Sequence, residues 1–161
     1  MIQKKLYNQR IIISAAAEGI GWSIAQACLL NGAFVYISDK NEEALEKLTK
    51  NTYYNKKLFL DKVKSNHSED VKNYFDKVFK KIGKIDALIN NIGISGPTSK
   101  IEKININEWK ETIDININSH FYFSKFSIPL LKKNKKGSII NISSTAGIFG
   151  FPYRSPYAAS K

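Results

Sequence analysis

The chain is poor in the residues that would build a metal centre or a disulfide framework: 161 residues contain a single cysteine, Cys28, and two histidines, His67 and His120. One thiol excludes an internal disulfide and any cysteine-based metal cluster, and Cys28 is expected to pack in a helix. The histidines stand far apart without metal-ligand spacing, so structural or surface roles are expected of both. No internal repeat and no low-complexity tract is present. With 43% hydrophobic and 24% charged residues the composition is that of a globular protein rather than a disordered or fibrous one, and the length suits one domain spanning residues 1–161.

Acidic residues are also scarce. Fourteen Asp and Glu face 25 Lys and Arg, leaving a formal charge of +11, which admits a polyanionic partner. The lysines are nevertheless dispersed, and the densest group, Lys132, Lys133, Lys135 and Lys136, falls in a loop before a strand with no nucleic-acid-binding motif beside it, so neither nucleic acid nor membrane is expected as a partner. Lys4, Lys5 and Arg10 precede an apolar stretch ending Ala25-Gln26-Ala27-Cys28, superficially a lipoprotein signal, but Glu18 and Gln26 interrupt it and the same residues make a better strand, turn and helix. A cytoplasmic protein is the expectation.

What is present is an alternation. Ile11-Ile12-Ile13 reads as a strand buried on both faces, and Phe34 to Ser38, Leu58-Phe59-Leu60, Ala87 to Asn90 and Ser138 to Ser143 read as four more strands. Helical patterns separate them: one begins near Gly19 and stops at Asn31-Gly32, a second runs from Glu42 to Lys50, and a third carries Val71, Tyr74, Phe75, Val78, Phe79 and Ile82 on one stripe closed by Gly83. A long helix is expected from about Glu108 towards Pro129 with Asn107 as its N-cap, and Ser155-Pro156 reads as the cap and first position of a last helix. Strand–helix alternation throughout predicts an α/β, doubly wound parallel sheet of Rossmann type, whose ligands sit beyond the carboxyl ends of the strands.

Two features at those ends suit a dinucleotide. Ser14-Ala15-Ala16-Ala17-Glu18-Gly19-Ile20-Gly21 joins the first strand to the first helix, and its small residues would let backbone approach a pyrophosphate at free helix-terminal amides. It is not the full G-x-G-x-x-G fingerprint, so a packing role for the glycines stays open at this point. Asp39 ends the second strand, where a carboxylate accepts hydrogen bonds from an adenosine ribose; it would repel a ribose 2′-phosphate, as would Glu18, so NAD is expected over NADP.

The chemistry would sit near the end of the chain. Tyr157 and Lys161 lie four apart and share a helix face, so the ammonium would favour phenolate over phenol, and Ser144 precedes them by thirteen positions. Asn90-Asn91-Ile92-Gly93 follows the fourth strand, Asn116 lies in the long helix, and Asn141-Ile142-Ser143-Ser144 ends the fifth. All would gather polar groups at one edge of the sheet.

Taken in order, these motifs resemble the short-chain dehydrogenase/reductase family from the first strand to the last residue. Ser14 to Gly21 is similar to the family's Thr-Gly-x-x-x-Gly-x-Gly turn, Asn90 to Gly93 to its Asn-Asn-Ala-Gly, Asn116 to its helical asparagine, Ser144 to its serine, and Tyr157 with Lys161 to its Tyr-x-x-x-Lys. The resemblance implies hydride transfer between a nicotinamide and an alcohol or carbonyl carbon of a small molecule. Tyr157 would act as acid/base, Ser144 would orient the substrate oxygen, Lys161 would hold the nicotinamide ribose, and Asn116 would support a relay water. Departures are Ser14 for threonine, Ala15 for the first glycine, Ile92 for alanine, and Lys64-Ser65 where an aspartate usually meets adenine.

Members of the family normally continue past this lysine into two more strands and a substrate-covering segment, so the expectation is a fragment of a longer enzyme, with a short nucleotide-binding module without turnover or a basic nucleic-acid binder as alternatives. The family's homo-oligomers use helices that include the last one here. Sugar alcohols, steroid-like alcohols and 3-oxoacyl thioesters all remain open as substrates, with Gly96-Pro97 and Phe149-Gly150-Phe151-Pro152-Tyr153 expected to supply an apolar wall.

Overall fold

The computed structural model describes residues 5–50, 56–134 and 136–161; Lys4 and Lys135, counted above among the basic residues, lie outside them. Five strands form one parallel sheet in the order β3-β2-β1-β4-β5: β1 (Arg10–Ser14), β2 (Phe34–Asp39), β3 (Leu58–Lys62), β4 (Ala87–Asn90) and β5 (Ser138–Asn141). The run Ile11 to Ile13 is registered against Val35 to Ile37 on one side and Ala87 to Ile89 on the other, so β1 is central and buried on both faces. That is why its sequence is continuously apolar rather than alternating.

Alternate residues of these strands feed two cores. Ile11, Ile13, Val35, Ile37 and Ile89 pack against α1 (Gly19–Leu30) and α2 (Glu42–Thr49), where Cys28 is buried and its thiol is pushed up by burial. Ile12, Tyr36 and Leu88 pack against α3 (Ser68–Ile82) and α5 (Ser119–Leu131) through Val71, Phe75, Val78, Phe123 and Leu130. Among the described residues no helix is long and apolar enough to cross a membrane.

Three local expectations need correction. The long helix is not one helix: α4 (Ile106–Ile113) passes into a π-helical segment, Asp114–Asn118, before α5 resumes and carries Pro129 in its last turn as far as Leu131. Asn105, not Asn107, caps α4, its side-chain oxygen accepting from the Asn107 N–H at 2.8 Å; Asn107 lies in the first turn. Ser155 is the first residue of α6 (Ser155–Ser160), and Arg154 is the cap position. There the guanidinium, tied to the Ser95 carbonyl and the Thr98 hydroxyl, holds the entry to the helix in place of a capping hydroxyl.

Candidate active site

Sheet order reverses between β1 and β4, and the loops that leave these strands diverge to opposite sides, opening a crevice at their carboxyl ends. Two pockets line it. A smaller one of 220 Å³ is bounded by Ala15, Asp39, Lys40, Ser65, Asn66, Ile92 and Ile115. A larger one of 450 Å³ is bounded by Ile20, Asn91, Ser144, Phe151, Arg154, Tyr157 and Lys161. Gly93 and Ile94 belong to both, so the two form one elongated groove across the switch point.

The strand-to-helix turn is fixed from behind by the Asn-Asn loop. Asn91 donates its side-chain N–H to the Ala15 carbonyl at 2.7 Å, and its backbone N–H donates to Ser14 Oγ at 3.1 Å. A Cβ on Gly21 would stand 2.6 Å from both the Ala15 oxygen and Asn91 Nδ2, so only glycine permits this closure. Ala15 occupies the left-handed region at φ 49°, where the family pattern carries glycine. Glu18 at the N-cap makes no side-chain cap and the first turn of α1 holds no carboxylate, so the leading amides of Gly19, Ile20 and Gly21 end the helix without an acidic partner.

Asp39 is already engaged: its oxygens accept from Ala17 N–H at 3.0 Å and Asn41 N–H at 2.9 Å. Carboxylate oxygens retain further lone pairs, and the residue still faces the smaller pocket. Ile92 is buried in the core beneath α3 and α5 while one side lines that pocket. Ser65 lines it where the resemblance notes no aspartate, with Asn66 as a second polar neighbour.

Asn90 is placed differently from its neighbour. Successive strand residues point to opposite faces, and Asn90 is fully buried beneath α5, donating to Ser124 Oγ at 3.1 Å and Asn141 Oδ1 at 2.8 Å, with no share in either pocket. Asn116, buried in the π-helical segment, clamps one residue on both its backbone groups: its Oδ1 accepts from Ile94 N–H at 2.7 Å and its Nδ2 donates to the Ile94 carbonyl at 2.9 Å and to Ser160 Oγ at 2.8 Å. The widened turn brings it against the groove floor while tying α6 to that floor.

Ser144, Tyr157 and Lys161 line the same cleft, Lys161 from the position just after α6 rather than from within the helix. Lys161 Nζ donates to the Ile142 carbonyl at 3.1 Å, and a Cβ on Gly93 would come within 2.9 Å of that nitrogen. Burial lowers the Lys161 ammonium from its ordinary value, with Tyr157 opposing the shift. Ser144 Oγ accepts from Ala146 N–H at 3.2 Å, opening a 3₁₀ turn at Thr145–Gly147. Of the expected apolar wall only Phe151 reaches the cleft; Phe149 and Tyr153 are exposed.

Two residues escaped the sequence. His120 donates from Nε2 to the Ile92 carbonyl at 2.8 Å; burial lowers its imidazole from the ordinary value, the carbonyl bond opposes this, and Lys161 reinforces it. Arg154 enters the cleft beside Tyr157, its guanidinium 5.4 Å from the Tyr157 ring centre and 5.7 Å from that of Phe151. The signal available was its rarity, one of two arginines among 25 basic residues. Among the described residues no group of three His, Cys, Asp or Glu could hold a metal ion.

Comparison with known proteins bears on the family and the fold. The short chain dehydrogenase family matches residues 9–161. Cyclohexanol dehydrogenase of Acinetobacter sp. (strain SE19) is 30% identical over 162 residues, covering 100% of this chain and 64% of that protein. The 3-oxoacyl-[acyl-carrier-protein] reductase FabG of Thermotoga maritima is 31% identical over 158 residues, covering 98% and 64%. The crystal structure of a short chain dehydrogenase from Escherichia coli CFT073 complexed with NADPH has a TM-score of 0.89 at 26% identity, covering 98% of this chain and 68% of that one. The chain thus spans just under two thirds of the length of these curated relatives.

Proposed function

This chain belongs to the short chain dehydrogenase family, and from that membership we propose that its groove binds a nicotinamide dinucleotide and that its cleft carries the proton-transfer groups for interconverting an alcohol and a carbonyl compound. The supporting observation is the single groove in which Tyr157, Ser144 and Lys161 stand at one end and Asp39 at the other, joined at Gly93 and Ile94.

The residues fit such a cofactor. The unpaired amides at the start of α1 suit a pyrophosphate, Asp39 an adenosine ribose, and Lys161 Nζ, held against the Ile142 carbonyl, a second ribose. When bound, the nicotinamide supplies or takes the hydride. Tyr157 then exchanges a proton with the substrate oxygen, Ser144 Oγ donates to that oxygen and orients it, and Lys161 places positive charge beside the phenol. Asn116 positions rather than reacts: it locks the backbone of Ile94 on the groove floor and ties it to Ser160, one residue from Lys161.

Asp39 and Glu18 favour NAD over NADP through repulsion of a 2′-phosphate. Similar folds hold NADPH, and Lys40 lines the same pocket as a countercharge to Asp39 and Glu111, so the choice turns on the balance of those carboxylates against one ammonium. The substrate class stays open among small alcohols and carbonyl compounds, sugar alcohols, steroid-like alcohols and 3-oxoacyl thioesters included.

Titrating the chain with NADH and NADPH by fluorescence tests this. The expected result is tighter binding of NADH, lost in Gly21→Ala, whose methyl would break the turn. A screen over the three substrate classes should show turnover that falls roughly 10²–10⁴-fold in Tyr157→Phe with NADH affinity kept. Failure to bind either cofactor overturns the proposal; binding without turnover assigns a nucleotide-binding module instead.

A further inference from the structure

The catalytic end of the groove carries a second cation besides Lys161, Arg154, and among the described residues no carboxylate pairs with it. We propose that Arg154 recognises a carboxylate, so that the substrate is a hydroxy- or oxo-acid; this rests on the assignment of the cleft made above.

Three observations lead there. Residues lining the larger pocket include Lys161 and Arg154 but no Asp or Glu. The ion pairs among the described residues join Lys62 to Glu42, Lys72 to Glu69 and Asp76, and Lys77 to Asp61, leaving Arg154 outside all of them. The guanidinium is also held rigidly without being saturated. Nη1 donates to Thr98 Oγ1 at 3.1 Å, Nη2 to the Ser95 carbonyl at 3.0 Å, and Phe151 and Tyr157 flank it, while Nε is buried without a partner. Of five N–H groups two are engaged and one is enclosed, which leaves one on each terminal nitrogen to donate to a carboxylate.

A purely structural clip between α6 and the loop at Ser95–Thr98 would account for the two hydrogen bonds. It does not account for the charge. A half-buried guanidinium with no ion pair among the described residues is costlier than a neutral donor of similar reach, and in a chain with one other arginine the planar group stands where stacking and hydrogen-bond donation are both available. An anion bound there lies beside the Tyr157 ring, so the carboxylate belongs on the substrate a few atoms from the reacting carbon.

The test compares two probes of equal shape, 3-hydroxybutyrate and 3-hydroxybutanamide, by calorimetric titration into the chain with and without saturating NADH. The expected result is about tenfold tighter binding of the acid, in keeping with a charge-assisted bond. Arg154→Gln, which keeps a donor but no charge, should erase that preference, and Arg154→Lys should restore part of it; far-UV circular dichroism checks that both fold. Equal affinity for acid and amide, no binding of either, or a preference that survives Arg154→Gln overturns the assignment. NADH affinity, read from the same samples, separates the two proposals: a chain that binds NADH without preferring the acid sinks only the carboxylate site, and one that prefers the acid without binding NADH sinks only the cofactor reading.

Discussion

The two ends of the groove are built by different means. The end that holds Asp39 rests on β1, β2 and β4, where Ile11, Ile12 and Ile13 are at most 3% exposed between two helix layers. The end that holds Tyr157 rests on β5, where Ile139 and Ile140, equally apolar and equally β-branched, are 39% and 49% exposed. Apolar burial secures the first; polar clips secure the second. Ser143 Oγ donates to the Lys161 carbonyl at 2.6 Å, Asn116 reaches Ser160, Arg154 reaches Ser95 and Thr98, and Ser99 N–H donates to the Tyr153 carbonyl at 2.8 Å. Hydrogen bonds fix direction sharply but contribute little net stability each, about 1 kcal/mol. The catalytic groups are therefore oriented by contacts that local fluctuation can open, while the cofactor end shares the fate of the whole core.

The largest test of that contrast is a matched pair of truncations. Ile12→Ala should cost about 2–5 kcal/mol, because the site is closed on all sides and a cavity remains. Ile140→Ala should cost under about 1 kcal/mol, because half the side chain already meets solvent. Urea unfolding of both variants checks this. Equal losses would show that β5 is buried in solution and that the two ends share one core.

How much of this was legible in the sequence follows the same division. Strands β1, β2 and β4 and the turn after β1 could be read because continuous β-branched runs and small residues at a strand end each have one physical use. The residues Ser138 to Asn141 read as a strand by the same rule, while their exposure is set by the absence of a covering neighbour and not by anything in the four residues themselves. The π-helical segment was invisible because Asp114-Ile115-Asn116-Ile117-Asn118 has no breaker, and the contact that accompanies the wider turn, Asn116 with Ile94, lies 22 positions away. Asn90 and Asn91 are adjacent letters, yet strand alternation sends one into the core and the other to the turn.

A smaller test lies inside the well-packed end. Ala15 adopts φ 49° because Asn91 holds its carbonyl and the turn must close under Gly21. An L-residue in that conformation is strained by about 1 kcal/mol or more. Ala15→Gly removes the strain and loses a partly buried methyl and some rigidity of the unfolded chain, so a net gain of about 0.5 kcal/mol is expected. A loss on thermal unfolding would mean that the methyl's packing outweighs the strain, and that even at this end contacts rather than backbone geometry set stability.

The smallest effect sits where the two ends meet. His120 projects from α5 onto the Ile92 carbonyl, between Asp39's pocket and Lys161, and its folded-state proton affinity is lowered chiefly by burial. The unfolded chain, with a histidine near 6.5, then binds more protons than the folded one, and stability must rise with pH over that interval. His120 contributes in full above pH 6.5, and the contribution declines as pH falls towards the folded-state value. His120→Gln keeps an N–H for the carbonyl but cannot titrate. Subtracting its urea midpoint from that of the parent chain at pH 5.5 and 7.5 cancels the carboxylates, and exposed His67 is common to both proteins. The difference should favour the parent more at the higher pH. A difference independent of pH would place His120 in solvent in the working ensemble, and the seam between the two ends would then be as loosely held as β5.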